Sequence, residues 1–476
     1  MDAPGISNPS PLFCFICSMI GSVADFSTPF FIGVAGSGMS AIAQYLKGTG
    51  KDVSGSDRFF VAGEYNEMEE KLEAEGIRCF VQDGSGITEK TDLVVVSTAI
   101  EDTVAEVQKA KELGIPVIRR SALLALIAAS KKTIAVAGTS GKSTTSAMLF
   151  DILEYAGYGP SIISGAGLTS IIRQGKIGNA KVGTGDWLVI EADESDGSIV
   201  QYQPEIGLLL NIDKDHQEID ELMRLFGIFR DHSKFFSVNR SHPLTRSFSQ
   251  DSQQDFSIDE NEGAGYTATG FRQEGFTIHF SVFGTPFLLH ALGKHNMENA
   301  LAAICVASGI GVSIPVCAEA LQRYEGIYRR HQVYGKKDGV WLIDDYAHNP
   351  VKCAAAIRAC QPVAGKVISW FQPHGYKPTK FLRDDFVNEI ANALRPDDEI
   401  WMSEIFYAGG TAVKDISAED LINDLKAKGK KAFYCANRND FMDIVRPHLA
   451  GDTCLLLMGA RDPSLEQFAK QVWDKL

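Results

Sequence analysis

Short apolar runs alternate with longer amphipathic segments along most of the chain from residue 29 onwards. Runs such as FFIGV and LVVVS have strand length, whereas EYNEMEEKLEAEG and TVAEVQKAKELG have helical periodicity. Strands that alternate with helices are joined by crossover connections, which produce parallel sheets. The pattern therefore predicts an α/β fold of doubly wound sheets, with ligands bound beyond the carboxyl ends of the strands.

The same pattern divides the chain into a leader and three units. The leader, residues 1–28, is apolar around Cys14 and Cys17 but lacks the basic start of a secretory signal and the length of a membrane span. We expect it to have no stable structure. The three units that follow are an N-terminal Rossmann-like domain (29–130), a central α/β domain with a small antiparallel part (131–326) and a C-terminal Rossmann-like domain (327–476).

Composition and charge narrow the classes of partner. The 476 residues include 46 Lys and Arg against 60 Asp and Glu, a net charge of −14. No overall basic field attracts nucleic acid or an anionic membrane, so neither is an expected partner. The nine cysteines are scattered, which favours reduced buried thiols over metal or redox chemistry. We expect a cytoplasmic protein that is a monomer or a homodimer.

A first glycine loop follows the strand FFIGV and opens a helix. Gly36, Ser37, Gly38 and Met39 have the spacing of the dinucleotide fingerprint, and Asp57 lies where its ribose-binding acid occurs, about 20 residues further on. Glycines let backbone N–H groups approach a diphosphate at the helix N-terminus. By itself the loop is compatible with a nicotinamide dinucleotide, with another diphosphate such as a UDP-sugar, or with a tight turn that binds nothing.

A second glycine loop, GTSGKST, lies between the strand TIAVA and a helix, which is the setting of a phosphate-binding loop. Gly141, Lys142 and Ser143 fit the consensus, but Val136 occupies the place of its first glycine. Backbone N–H groups of such a loop surround the phosphates, the lysine neutralises their charge, and the serine binds Mg²⁺.

Acidic and imidazole side chains follow two strands of the same unit. Glu191 ends the strand in DWLVIEADESD, and His216 ends EIGLLLNIDKDH. Carboxylate and imidazole groups at neighbouring strand ends can hold a hard cation against phosphate oxygens. The alternative is a pair of capped, solvated loops. Acidic residues also crowd turns, so Asp193, Glu194 and Asp196 carry a weaker signal.

Eight motifs in order make the chain resemble the Mur ligases, over nearly its whole length from about residue 29. They are GVAGSGMSAIA, GTSGKSTT, EADESDGS, NIDKDH, GKHNMENALAA, YRRH, DDYAHNP and FQPHGYKPT. The resemblance implies an ATP-dependent amide-bond ligase of peptidoglycan biosynthesis that uses Mg²⁺ (or Mn²⁺). Its expected reaction joins an amino acid, most simply L-alanine, to the carboxylate of UDP-N-acetylmuramate through an acyl phosphate. The shortened loop GTxGK[ST] is common in this family.

The resemblance also implies the site residues. The catalytic residues would be Lys142, Glu191, His216, Arg330 and His348, with Ser143, Glu191 and His216 on the metal. ATP would be bound by Gly138, Thr139, Ser140, Gly141, Lys142, Ser143, Thr144, His295, Asn296, Asn299, Arg330 and Asp345. The UDP-sugar would be bound by Gly36, Ser37, Gly38, Met39, Asp57, Ser97 and Thr98. Without the resemblance, His295 and Asn299 would be an ordinary helix start, and Arg330 a solvated surface residue.

The chain departs from the family at the acceptor motif. Alanine-adding members have two arginines in this motif, and Gly375 and Pro378 stand in their places. His374 is kept, and Lys377 is the nearby cation, so these two residues are the expected acceptor site. Lysine does not bind a carboxylate in two-pronged fashion as arginine does. A family member that adds a whole peptide to UDP-N-acetylmuramate in wall recycling therefore stays an alternative, beside an oxidoreductase and an inactive nucleotide sensor.

Overall fold

The computed structural model describes residues 20–214, 217–407, 413–449 and 451–476. The chain forms two compact units. The first unit contains the chain up to Asp213, with Ile219–Phe256 and Ala302–Cys317; the second contains Lys214–Glu218, Ser257–Leu301 and Ala318–Leu476. Among the described residues no helix has the length and apolar character needed to cross a membrane.

A five-stranded parallel sheet opens the first unit, in the order β3-β2-β1-β4-β5. The strands are β1 (Pro29–Ile32), β2 (Ser54–Asp57), β3 (Arg78–Val81), β4 (Leu93–Val96) and β5 (Val117–Arg119). The helices are α1 (Ser37–Gly48), α2 (Glu67–Ala74), α3 (Ala105–Leu113) and α4 (Arg120–Ala129). The strand order reverses between β1 and β4, so the ligand crevice of a doubly wound sheet lies at their carboxyl ends.

The leader expected over residues 1–28 is folded in its described part. Ser22 caps a short 3₁₀ turn, Val23–Asp25, and Phe26 is buried in the core of the first unit. The Lys51 ammonium lies 4.9 Å from the centre of the Phe26 ring. The expectation of no stable structure is therefore wrong for residues 22–26, because the buried Phe26 ring and the Lys51 cation attach them to the domain. The CxxC pair Cys14 and Cys17 lies outside the described residues.

A six-stranded sheet completes the first unit, in the order β11-β10-β6-β9-β7-β8. The strands are β6 (Lys132–Ala137), β7 (Ser161–Ile163), β8 (Ala180–Lys181), β9 (Trp187–Ala192), β10 (Ile206–Leu209) and β11 (Phe235–Val238). Its helices are α5 (Lys142–Tyr155), α6 (Thr169–Ile172) and α7 (Ile219–His232). All pairs are parallel except β7–β8, and β6 lies between β9 and β10. The loops that follow β6, β9 and β10 therefore meet at one edge.

The second unit contains the expected antiparallel part. Strands β13 (Tyr266–Glu274), β14 (Thr277–Val282) and β15 (Thr285–Leu289) form antiparallel ladders and follow the short β12 (Phe256–Ser257). Helices α8 (Lys294–Ile310) and α9 (Ile314–Gln322) come next in the chain. Residues of β14 are buried in alternation, which is the period that one packed face of an antiparallel sheet requires.

A six-stranded sheet dominates the second unit, in the order β16-β17-β21-β18-β19-β20. The strands are β16 (Gln332–Lys337), β17 (Val340–Asp345), β18 (Lys366–Gln372), β19 (Glu399–Met402), β20 (Lys431–Tyr434) and β21 (Thr453–Gly459). Only β16 among them is antiparallel to its neighbour. The helices are α10 (Pro350–Cys360), α11 (Tyr376–Phe381), α12 (Arg383–Ala393), α13 (Ala418–Ala427), α14 (Phe441–Val445) and α15 (Leu465–Lys475). The predicted α/β class and its parallel sheets are confirmed.

Candidate active site

The loop GTSGKST turns the chain from β6 into α5. Val136 lies inside β6, paired with Leu208 and Glu191, so the turn begins only at Gly138. Gly138 has φ of +132°, and a Cβ there would lie 3.1 Å from the backbone nitrogen of Asn211. The glycine that this loop needs therefore stands at 138, where the neighbouring strand end approaches, because position 136 still belongs to the sheet.

Asn211, at the end of β10, holds the loop from the side. Its amide oxygen accepts from the Ser140 backbone N–H at 2.7 Å, and its amide nitrogen donates to the Ser140 carbonyl at 3.0 Å. The Thr139 hydroxyl donates to the Asn211 amide oxygen at 3.0 Å and accepts from the Asp213 backbone N–H at 2.9 Å. The loop is fixed in shape before any ligand arrives, as a phosphate cradle requires.

Lys142, the first residue of α5, is held between backbone and carboxylates. Its ammonium donates to the Gly138 carbonyl at 2.7 Å and to Glu194 Oε2 at 2.8 Å, and lies 3.7 Å from Asp193 Oδ1. Burial alone lowers the pKa of Lys142, but the charges of Glu194 and Asp193 outweigh it and raise that pKa. Lys142 is therefore a cation at the mouth of the loop, where a phosphate would compete with Glu194.

Glu191 is surrounded by donors from two loops. Its Oε2 accepts from the Ser143 hydroxyl at 2.8 Å, and its Oε1 accepts from the Ser164 hydroxyl at 2.7 Å and the Gly165 N–H at 2.6 Å. A carboxylate and a serine hydroxyl in contact are the ligand types that Mg²⁺ and Mn²⁺ prefer. His216, the third expected ligand, lies outside the described residues, within which no cluster of three His, Cys, Asp or Glu forms a metal site.

The first glycine loop surrounds the N-terminus of α1. Gly36 is the N-cap and has no side chain to satisfy the first N–H groups of the helix; Ser37, Gly38 and Met39 form its first turn. Such a helix end attracts anions. Ser97 and Thr98 follow β4, the neighbour of β1, and so lie at the same edge of the sheet.

Asp57, the expected ribose ligand, is buried and engaged with backbone. Its Oδ2 accepts from the Ala35 N–H at 3.1 Å, and its Oδ1 accepts from the Phe59 N–H at 3.1 Å. The carboxylate thus holds the first glycine loop against the end of β2. This contact gives Asp57 a structural task in addition to the predicted one.

A buried cluster of two histidines and an aspartate lies in the second unit. Asp345, the last residue of β17, accepts from the backbone N–H of His331 at 2.7 Å and of Ala347 at 2.8 Å, and lies 3.2 Å from His331 Nδ1. The His295 and His331 rings lie 5.4 Å apart. Burial, together with the charge of His331, lowers the pKa of His295 to about 3. His295 is therefore neutral at physiological pH.

The remaining nucleotide candidates of this unit surround that cluster. Asn296 donates to the Leu292 carbonyl at 2.8 Å and accepts from the Asn299 amide at 3.3 Å. Arg330 lies with its guanidinium carbon 5.0 Å from the centre of the Tyr346 ring. Its neighbour Arg329 instead makes two hydrogen bonds to a buried carboxylate, that of Asp344, at 2.7 and 3.1 Å.

The backbone around Arg330 is strained. Arg329 and His331 have φ of +55° and +49°, values that non-glycine residues rarely adopt. Strain of this kind persists only where the surrounding contacts fix it, and it collects at functional sites. The contacts of Arg329 and His331 with Asp344 and Asp345 supply that constraint.

His348 and His374 line a cavity of about 260 Å³ in the second unit. Their rings lie 5.5 Å apart, and His348 Nδ1 lies 2.9 Å from the Tyr346 carbonyl. Since a carbonyl only accepts, the proton is on Nδ1 and the lone pair is on Nε2. Burial, and secondarily the charge of Lys352, lowers the pKa of His348 well below its ordinary value. His348 is thus an uncharged base.

The rest of this cavity is lined by Asn349, Lys377, Thr379 and four apolar residues: Pro378, Phe381, Leu382 and Phe386. Lys214 lies over the Phe381 ring, 4.2 Å from its centre. Gly375, just before α11, has φ of +75°, a backbone angle that arginine adopts only with strain. Glycine at position 375, where alanine-adding family members have arginine, therefore suits the backbone conformation of this loop.

Three family models match successive parts of the chain. They are described as the Mur ligase family catalytic domain (residues 30–132), the Mur ligase middle domain (136–307) and the Mur ligase glutamate ligase domain (329–461). Together they cover well over half of the sequence. The chain belongs to the Mur ligase family. It is accordingly an ATP-dependent ligase, as the sequence predicts.

Curated relatives of this Mur ligase align with it over nearly the full length of both sequences. A UDP-N-acetylmuramate–L-alanine ligase from Carboxydothermus hydrogenoformans is 34% identical over 448 residues, which is 90% of this chain and 93% of the relative. A protein of the same name from Paracoccus denitrificans is 32% identical over 455 residues, covering 90% of this chain and 93% of the relative.

Solved structures share the fold. A UDP-N-acetylmuramate-alanine ligase from Thermotoga maritima superposes with a TM-score of 0.76 at 24% identity, covering 94% of this chain and 98% of the other. A murein peptide ligase from Psychrobacter arcticus gives a TM-score of 0.65 at 20% identity, covering 94% and 98%. Both likenesses support the three-domain Mur ligase fold predicted from the motifs.

Sequence reasoning did not single out several residues that shape the site. Ser164 directly follows β7 and Asn211 lies two residues after β10, and this position at a strand end is the signal that could have found them. Glu194 carried only a weak signal, yet it is the hydrogen-bonded partner of Lys142. His331 contacts Asp345 where β16 begins beside the end of β17, and the sequence does not reveal this strand register.

Proposed function

We propose that this Mur ligase joins an amino acid, L-alanine in the first place, to the carboxylate of UDP-N-acetylmuramate and converts ATP to ADP and phosphate in doing so. The observation that carries the proposal is the phosphate loop: Lys142 and Ser143 adjoin the carboxylates of Glu194 and Glu191 at the carboxyl edge of a parallel sheet. The curated relatives of that name, matched over nine-tenths of the chain, support it.

A carboxylate and an amine do not condense in water, so the carboxylate must first be activated. Its oxygen attacks the γ-phosphorus of ATP, the bond from that phosphorus to the ADP oxygen breaks, and an acyl phosphate forms. Lys142 neutralises charge on the transferred group, and the N–H groups of the loop fix its orientation. Residues 138–144 hold the phosphates in this scheme.

Glu191, Ser143 and His216 would hold a divalent cation, Mg²⁺ or Mn²⁺. The contact between the Glu191 carboxylate and the Ser143 hydroxyl fits a hard ion that prefers oxygen. When bound, the ion would offset negative charge on the β- and γ-phosphates.

The remaining ATP-binding candidates all lie in the second unit. His295, Asn296 and Asn299 are assigned to the adenine, Asp345 to the ribose, and Arg330 to the γ-phosphate. The lowered pKa of His295 supports an uncharged ring that can stack on the adenine or hydrogen-bond with it. The constrained turn around Arg330 supports a fixed direction for its guanidinium.

In the second half of the reaction the amine of the acceptor attacks the acyl carbon, and phosphate leaves. His348 accepts the proton of the amine at the lone pair on Nε2, which is available because the lowered pKa keeps the ring uncharged. His374 and Lys377 bind the acceptor, with the lysine opposite its carboxylate. The UDP-sugar is bound by the first glycine loop, by Asp57, and by Ser97 and Thr98.

A peptide acceptor is the second candidate, and one observation favours it. The cavity beside His348 has an apolar wall, and the two arginine positions of the acceptor motif are Gly375 and Pro378. A site that binds a free amino acid needs a strong partner for its α-carboxylate, whereas in a peptide that carboxylate is an amide.

We also propose that the chain is organised as a UDP-sugar domain (29–130), an ATP domain (131–326) and an acceptor domain (327–476). The predicted boundaries fall between α4 and β6 and between α9 and β16, where no strand is divided. The enzyme would work in the cytoplasm, as a monomer or homodimer.

The test is release of phosphate from ATP with UDP-N-acetylmuramate as donor. L-alanine, L-serine, glycine and the L-alanyl-γ-D-glutamyl-linked peptide are compared as acceptors. L-alanine is expected to give the highest kcat/KM, and Lys142→Ala to abolish release. Highest activity with the peptide would select the second candidate, and no release with any acceptor would overturn the proposed ligation.

A further inference from the structure

Arg120, the first residue of α4, lies directly against the first glycine loop. A Cβ placed on Gly38 would lie 2.7 Å from Nη1 of Arg120 and 3.3 Å from its guanidinium carbon. The dinucleotide fingerprint explains its second glycine by close approach of a diphosphate. In this chain Gly38 has a further reason to lack a side chain, because the guanidinium occupies the space beside it.

On its other side Arg120 faces the loop that follows β9. Its Nη2 lies 3.9 Å from Asp196 Oδ2. This distance brings the charges together but is too long for a hydrogen bond. Asp196 belongs to the same acidic loop as Asp193 and Glu194, which contact Lys142.

The ion pair with Asp196 therefore leaves the N–H donors of the Arg120 guanidinium available to a ligand. Within the described part of the chain, no acceptor lies within hydrogen-bond distance of the Arg120 guanidinium. Its side chain is about one-third exposed, at 30%. A guanidinium carries five N–H donors in a planar fork that matches phosphate oxygens. Beside it, the first turn of α1 has N–H groups that no side chain caps.

We propose that Arg120 binds the diphosphate of the UDP-sugar, together with the N-terminus of α1. This inference rests on the proposed function, which places the UDP-sugar at this loop. Asp196 is the positioning residue: its charge holds the guanidinium over Gly38 without consuming its hydrogen bonds. Arg120 thereby links the diphosphate to the acidic loop that contacts Lys142.

The test is calorimetric binding of UDP, UDP-N-acetylmuramate and ATP to the full-length protein. Arg120→Lys should weaken binding of UDP and UDP-N-acetylmuramate about tenfold, because lysine retains the charge but not the two-pronged geometry. Binding of ATP should be unchanged. Arg119→Lys, at the adjacent exposed position, is the matched control and should bind all three ligands as the wild type does.

Gly38→Ala gives an independent check. Its methyl group displaces the guanidinium, so it should weaken UDP binding in the wild type and have a smaller additional effect in Arg120→Lys. Equal UDP affinity of Arg120→Lys and wild type, or an equal loss for ATP, would overturn the role of Arg120. A wild type that bound neither UDP nor UDP-N-acetylmuramate would overturn the proposed function and this inference together. Far-ultraviolet circular dichroism verifies that the variants are folded.

Discussion

Lys142 and Glu194 form a hydrogen-bonded ion pair, 2.8 Å between Nζ and Oε2, at the start of α5. The Glu194 side chain is only 4% exposed and that of Lys142 15%. This carboxylate contacts the ammonium group that a phosphate of ATP would use. The loop is thus stabilised before ATP binds, and ATP must displace one of the partners of Lys142.

Replacing Glu194 with glutamine should therefore cost more stability without ATP than with it. The ligand-free variant should lose about 2 kcal/mol of unfolding free energy, less than the usual loss for a broken buried pair, because Asp193 remains near the ammonium. Bound ATP supplies new negative charge to Lys142. The stabilisation by ATP, measured as a shift in Tm, should consequently be larger in Glu194→Gln than in wild type.

Asp193→Asn provides the matched comparison for that experiment. Asp193 lies 3.7 Å from Lys142 and is more exposed, so its removal should cost less than about 1 kcal/mol. Equal ATP-induced shifts in wild type and Glu194→Gln would show that ATP does not compete for Lys142.

Glu191 connects two loops through three hydrogen bonds, and its charge should matter for each. In Glu191→Gln one side-chain oxygen becomes an NH₂ donor, which then faces the Ser143 hydroxyl or the donors of Ser164 and Gly165. We expect a loss of about 1–3 kcal/mol in unfolding free energy and a fall in kcat of about 100-fold or more. Steady-state phosphate release and urea unfolding measure the two effects.

Ser164→Ala distinguishes the hydrogen bond that positions Glu191 from the contribution of the Glu191 carboxylate itself. It removes one donor but keeps the carboxylate, so kcat should fall about tenfold or less. If Glu191→Gln kept the activity of the wild type, the carboxylate could not be part of the metal and phosphate site.

The buried His295 predicts acid sensitivity of the second unit. Its pKa in the folded protein, about 3, lies below its ordinary value of 6.5. Between these values the unfolded chain binds the proton and the folded protein does not. Stability therefore rises with pH across this window and falls on acidification, by up to about 1.4 kcal/mol per pH unit for this one group.

His331 and Asp345 face His295, so their contributions must be separated from it. Asp345 has a lowered pKa, because the charges of His331 and Arg330 outweigh its burial. Protonation of Asp345 in acid therefore also lowers the stability of the folded protein. His295→Gln has no proton to gain. Its unfolding free energy should consequently fall less between about pH 7 and about pH 5 than that of the wild type, in urea titrations. Parallel pH curves for the two proteins would contradict the burial of a neutral His295.

Much of this fold follows from the hydrophobic pattern, and the reason is visible in particular strands. All four residues of β4, and five of the six of β6, are buried, so both strands appear as continuous apolar runs. Exposed strands carry no such signal. β3 is largely exposed and β5 has three residues, and neither was predicted.

The site was predictable where a motif fixes local geometry, and less so where distant segments meet. GTSGKST determines its own turn, so the positions of Lys142 and Ser143 follow from the sequence. The approach of Arg120 to Gly38 joins residues more than eighty positions apart, and no local pattern encodes it. The segment that leads into β16 and places His331 beside Asp345 has left-handed backbone angles at Arg329 and His331, which these residue types disfavour.

Substitution of two neighbouring lysines can identify the cation that binds the carboxylate of the acceptor. Lys377 lines the cavity beside His374, whereas Lys380, three residues later in the same short helix, is paired with Asp415. Lys377→Ala should raise KM for the amino acid about tenfold and leave KM for ATP unchanged, since only the carboxylate contact is lost. Lys380→Ala should change neither constant. A rise in KM with Lys380→Ala alone would instead assign the acceptor carboxylate to the other end of α11.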